Sequence, residues 1–186
     1  MLKCDWIKLH SEIKKIELLP DKEERIICFQ LIDTILDKVN TYNKHISEYE
    51  YVQKRQEVIN RGVVFAPLSK SSTIKANWSK LFSASISSDE KRKIRYDKYR
   101  WHIFSFEDLN ALSKSKARHA FNKCKKENVY IFYQHMDKAF LIENAQLLKS
   151  VDFDLDYDIY IFDTTRKWTY VHTHEEQCGP YFYQIK

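Results

Sequence analysis

At 186 residues, with 44% hydrophobic and 15% aromatic content, the chain has enough apolar side chain to bury a core and lacks the composition of a disordered protein. Two glycines and three prolines exclude the glycine-clustered loops that cradle phosphates in P-loop and dinucleotide-binding proteins. The net charge of +5 is unevenly spread: residues 1–60 carry 10 basic and 11 acidic side chains, residues 61–126 carry 16 and 5, and residues 127–186 carry 5 and 10. A basic middle beside an acidic end implies either a patch for a polyanionic partner or charge complementarity within the fold.

Cys4, Cys28, Cys124 and Cys178 form no Cys-x-x-Cys pair, and the first residues lack the apolar segment of a signal peptide. Free thiols in a reducing compartment are expected, and no apolar run approaches the ~20 residues of a membrane span. The expectation is a soluble cytoplasmic protein.

In chain order, Trp6, Ile7, Leu9, Ile13 and Ile16 predict a helix over Asp5–Leu18, stopped by Pro20. Asp21 followed by Glu24 reads as a helix cap. From there Ile32, Ile35, Val39, Tyr42, Ile46, Tyr49, Val52 and Ile59 keep an apolar stripe, and Gly62 suits a left-handed C-terminal cap. This predicts one helix of about 38 residues, ~57 Å long. It packs across its own domain, kinks near Asn40–Asn43, or meets a partner helix, a homodimer included. Residues 1–66 thus form an N-terminal helical segment, 67–73 a polar linker and 74–186 an α+β core domain. The core opens with helices over Ile74–Ser83 and from Ser88 to about Tyr99; the second, carrying Lys91, Arg92 and Arg95, is the most basic element.

Strands are expected at Trp101–Phe106, Val129–Gln134, Ala139–Glu143, Asp158–Phe162, Trp168–His174 and Tyr181–Ile185. A helix over Ser113–Lys126 joins the first two, long enough for a crossover. The fold class is α+β: a mainly antiparallel sheet of five or six strands with packed helices. Alternation puts Ile103, Val129, Ile131, Ile159, Ile161 and Val171 on one face. His102, Phe104, Tyr130, Phe132, Tyr160, Phe162, Tyr170 and His172 fall on the other.

Candidate chemistry gathers near the C-terminus. On a strand, Trp168, Tyr170, His172 and His174 share one side, the two imidazoles about 7 Å apart. A metal reading would add Glu175, Glu176, Asp163 or His102; the favoured reading has no metal and no cofactor. An enzyme built here would use His174 and Glu175 as an acid–base pair with His172 and Asp163, near Cys178 or Ser105 as nucleophile. A binding surface would use Trp168, Tyr170, His102 and Glu107, with Lys91, Arg92 and Arg95 for a polyanion. Asp152, Asp154, Asp156 and Asp158 alternate with hydrophobes, as in a charged strand edge, a phosphate mimic or a divalent-cation site.

Three stretches carry a resemblance: Trp101-His-Ile-Phe-Ser-Phe-Glu107, Asp158-Ile-Tyr-Ile-Phe-Asp163, and Trp168-Thr-Tyr-Val with Thr173-His-Glu and Gly179-Pro-Tyr-Phe182. In that order, across roughly Ile74–Phe182, the chain resembles a family of small uncharacterised bacterial proteins, a domain of unknown function. The resemblance implies a fold unit and supplies no mechanism.

On these grounds the favoured reading is a non-enzymatic binding protein that occupies a macromolecular partner, of the inhibitor, immunity or counter-defence kind. The alternatives are a small hydrolase or nucleotide-processing enzyme using His172, His174 and Glu175, and a nucleic-acid-binding protein using the basic region 61–126. A protein partner is expected and a membrane is not.

Overall fold

A computed structural model describes residues 2–3, 5–175 and 177–185; Cys4 and Glu176 lie outside the described residues. The chain divides into two compact units, Met1–Lys54 and Arg55–Lys186.

The first unit is helical. Helix α1 (Trp6–Glu17) is capped by Asp5, which accepts from the Lys8 amide. Helix α2 (Lys22–Asn60) starts where Asp21 Oδ1 accepts from the Glu23 and Glu24 amides, the expected cap. Leu9 of α1 and Ile32, Leu36 and Val39 of α2 line one apolar groove. Asn43 exchanges two hydrogen bonds with the Leu2 backbone and ties down the entering chain.

The second unit is built on a seven-stranded sheet, all of whose pairings are antiparallel. Its strands are β1 (Val64–Pro67), β2 (Leu112–Ser113), β3 (Val129–Tyr133), β4 (Ala139–Glu143), β5 (Ile159–Asp163), β6 (Trp168–His172) and β7 (Tyr181–Gln184), in the order β1-β4-β3-β5-β6-β7-β2. The helices are α3 (Ser71–Phe82), α4 (Ser88–Lys93), α5 (His102–Ser105) and α6 (Lys114–Lys123). The sheet is covered on both faces. Val58 at the end of α2 and Ala117 and Phe121 of α6 pack with Val129, Ile131, Ile161, Tyr170 and Trp168. On the other face Trp78 and Phe82 of α3, with Tyr96, Trp101 and Phe104, pack against Phe132, Tyr160, Phe162 and Val171. Trp78 Nε1 donates to Thr169 Oγ1 at 2.8 Å, a directional bond inside that apolar layer.

Four expectations change. Trp101–Phe106 is no strand: Trp101, Ile103 and Phe104 are all buried, and His102 meets Phe106 one turn on at 5.3 Å between ring centroids, so helical spacing governs. The crossover through α6 therefore begins at β2. The basic helix ends at Lys93 instead of Tyr99, and its cap is Ser87, paired with Glu90 in a capping box. Ser71–Thr73, read as linker, begin α3. Finally β6 sits with the opposite face assignment. Register sets Ile161 opposite Tyr170 and Tyr160 opposite Val171, so Tyr170 and His172 join the aliphatic side.

The acidic run is not an edge strand. Ser150–Phe153 forms a 3₁₀ turn, and the four carboxylates leave in different directions. Asp152 pairs with Arg61 and Asp154 with Arg118. Asp156 accepts from Arg55 at 3.1 Å and from Tyr133 Oη at 2.7 Å, and Asp158 accepts from Trp101 Nε1 at 2.9 Å.

Gly179 is needed for space. A Cβ there would stand 2.5 Å from Thr173 Oγ1 and 3.1 Å from its Cγ2, while that hydroxyl already donates to the Glu175 carbonyl. Gly179→Ala is expected to lower unfolding free energy by about 1–3 kcal/mol, read by chemical denaturation.

Candidate functional site

The three stretches singled out above converge on one carboxylate. Asp158 precedes β5 in a left-handed backbone conformation (φ 51°), one that aspartate tolerates better than most residues. It is 6% exposed. Oδ1 accepts from Trp101 Nε1 at 2.9 Å and from the His174 amide at 3.3 Å; His174 Nδ1 lies 3.0 and 2.9 Å from the two oxygens. His135 Nε2 stands 3.8 Å from Oδ2. Tyr99 roofs the cluster, its ring 5.0 Å from His174, 5.4 Å from His135 and 5.3 Å from His102.

The carboxylate fixes the imidazole. With Nδ1–H donating to Asp158, His174 turns Nε2 away from that carboxylate, on a side chain that is 36% exposed. Glu175 Oε1 is 3.6 Å from that nitrogen, and Glu175 Oε2 accepts from Cys178 Sγ at 3.1 Å. The hydrogen bond to Glu175, reinforced by burial and by the glutamate's charge, pushes the Cys178 thiol up, the opposite direction from the shift that activates a thiol. Cys178 does line a cleft of about 530 Å³, together with Ser105, Glu107, Lys114 and Tyr181.

Other candidates are scattered. His172 does not join His174: the strand ends at His172, whose Nδ1 contacts the Asp156 carbonyl at 2.7 Å on the α6 side of the sheet. His174 lies with Tyr99 and Trp101, on the α3 side. The pleat that would align them stops two residues short of His174. Asp163 is at the opposite end of β5, accepting from the Thr165 and Arg166 amides and pairing with Arg166 across the turn. Trp168 and Tyr170 are core residues, Trp168 stacked on Phe182 at 5.8 Å. His102 Nδ1 contacts the Ile94 carbonyl. Among the described residues, no three His, Cys, Asp or Glu side chains stand together as a metal site. The sequence reading had not singled out His135; Asp158 was signalled by the acidic alternation and by heading the Asp158–Asp163 stretch.

In the basic segment Arg92 and Arg95 are exposed and Lys91 leans over Tyr96; of the aromatics interleaved with these cations, Trp78, Phe82, Tyr96 and Trp101 are buried in the core, while Tyr99 is half-buried with Lys98 over its ring.

A family model, Domain of unknown function (DUF4275), matches residues 54–182. The chain belongs to this family. No curated protein and no solved structure matches it. The DUF4275 match begins at the boundary between the two compact units, further toward the N-terminus than the resemblance noted above, and leaves most of the helical unit outside it. The Asp158 cluster and the sheet therefore belong to the DUF4275 region. Among the described residues no helix is long and apolar enough to cross a membrane.

His172 supplies a pH test of this face. Burial holds its pKa below 6.5, assisted by Arg118 and opposed by the Asp156 carbonyl and by Asp154 and Asp156. The unfolded chain then takes up a proton before the folded one. The contribution is present above about pH 6.5 and lost as pH falls toward the lower folded value. The drop in unfolding free energy between about pH 7.5 and about pH 5.5 is expected to be smaller in His172→Gln than in the unaltered protein.

Proposed function

We propose that this chain is a binding protein that occupies a macromolecular partner through its helical unit. The observation that carries the reading is the apolar surface left over after α1 and α2 have been built. Trp6 and Ile7 are 68% and 86% exposed, and on α2 Ile27, Leu31, Ile35, Tyr42 and Tyr49 are exposed as well. Leu31, Ile35, Tyr42, Tyr49 and Val52 recur in steps of three, four or seven, the period of a helix seam. Each aliphatic side chain of this size is worth about 1.5–3 kcal/mol when fully buried. A continuous row of them in water is the mark of an interaction surface. The partner is a protein presenting an apolar groove or helix.

The test is a pair of variants, Leu31→Glu and Ile35→Glu, in tagged protein expressed in its native host. Cross-linking with mass spectrometry is expected to recover a discrete partner with the unaltered chain and to lose it with either variant, at unchanged helical circular dichroism. Equal recovery from both variants, or none from the unaltered chain, overturns the reading. Light scattering of the purified protein distinguishes a second copy from a different chain.

The Asp158–His174 pair supports a second reading, an acid–base enzyme acting on a bound hydrolysable substrate. Its specific support is a part-exposed imidazole oriented by a buried carboxylate, with Glu175 3.6 Å from its other nitrogen. Screening against phosphate and carboxylate esters is expected, on this reading, to show turnover that falls at least about a hundredfold in His174→Gln. Equal rates in the two proteins would reject it.

A further inference from the structure

The cleft of about 530 Å³ beside Cys178 contains a polar group that the fold leaves without a bond. Tyr181, the first residue of β7, lines this cleft and is 6% exposed. Its ring packs on Phe104, another lining residue, at 5.5 Å between centroids. Among the described residues its hydroxyl has no hydrogen-bond partner. A hydroxyl so far withdrawn from bulk water is ordinarily bonded, because removing it from solvent without a replacement is costly. Burial first, then the nearby Cys178 and Glu175, pushes this hydroxyl up to about 12, so at neutral pH it can donate as well as accept.

Two opposite charges line the same cleft. Glu107 follows α5 and Lys114 opens α6; both are exposed, and among the described residues neither has an ion-pair partner. Both have left-handed backbone conformations (φ 63° and 54°), uncommon for such residues. Lys114 is held next to Tyr181: Ser113 is the cross-strand partner of Tyr181, and the Lys114 amide donates to the Pro180 carbonyl at 2.8 Å. Phe104 and the half-buried Leu109 add apolar wall.

A ligand with a single charge would be attracted by one of these two groups and repelled by the other. A ligand with both charges on an apolar body meets all three features at once. We propose that this cleft binds an amino-acid zwitterion with an apolar side chain, either the free amino acid or a dipeptide. Its carboxylate takes Lys114 and the Tyr181 hydroxyl, its ammonium takes Glu107, and its side chain lies on Phe104 and Leu109. Neither the helical unit nor the Asp158–His174 pair lines the cleft, so this proposal is independent of both readings above.

The experiment titrates the full chain calorimetrically with L-phenylalanine and with L-alanyl-L-phenylalanine, then with the tighter of the two after N-acetylation or C-terminal amidation. Saturable binding of at least one zwitterion is expected, the tighter one naming the source, and each blocked form is expected to bind at least about tenfold more weakly. Tyr181→Phe is expected to weaken binding about tenfold or more, while its unfolding free energy stays equal or rises, since no bond within the protein is removed. Glu107→Gln and Lys114→Gln, at exposed positions, each weaken binding to a similar extent. Absence of saturable binding by both zwitterions overturns the site, and unaltered binding in Tyr181→Phe does the same. Blocked forms that bind as tightly as the parent overturn the zwitterion assignment.

Discussion

The pairing of a carboxylate-rich loop with cations and donors from distant parts of the chain is the constraint on which the second unit rests. Asp152, Asp156 and Asp158 are buried and Asp154 is half-exposed, and each goes to a different element: Arg61 after α2, Arg118 on α6, Arg55 and Tyr133, and Trp101 with His174. A buried charge without its partner costs several kcal/mol, about 3–5 where one member of a pair is removed. The loop therefore holds the end of α2, α6, β3 and the segment before α5 in one arrangement. The uneven charge of the chain is thus in part internal complementarity, with acids late in sequence meeting bases placed earlier.

The same loop decides what the late histidines do. Asp156 offers its carbonyl to His172 on one side of the sheet, and Asp158 offers its side chain to His174 on the other. Two imidazoles two residues apart are thereby assigned to different environments, one desolvated and one partly open. Whatever chemistry either performs, they do not act on a common atom.

Much of the architecture is legible in the amino-acid order because its signals are local. Alternation located β3 to β7 within a residue or two, the Asp21 cap located the start of α2, and Gly62 (φ 98°) marks its end. The errors arise where a local pattern has two solutions. Trp-His-Ile-Phe-Ser-Phe alternates well enough for a strand, yet no neighbouring strand takes it up, and its burial follows one turn of helix. The face of β6 depended on register with β5, which is a long-range fact. The site was partly visible: His174 and Glu175 stood out as a cluster, but Asp158, Trp101, Tyr99 and His135 join them only through the fold.

Both margins of the sheet are short. On one side β1 has four residues and ends in Pro67, which has no amide hydrogen to offer; on the other β2 has two residues before the chain turns into α6. An incoming extended peptide would find almost no ladder to continue at either rim. Recognition by adding a strand is thus disfavoured at both rims of the described sheet.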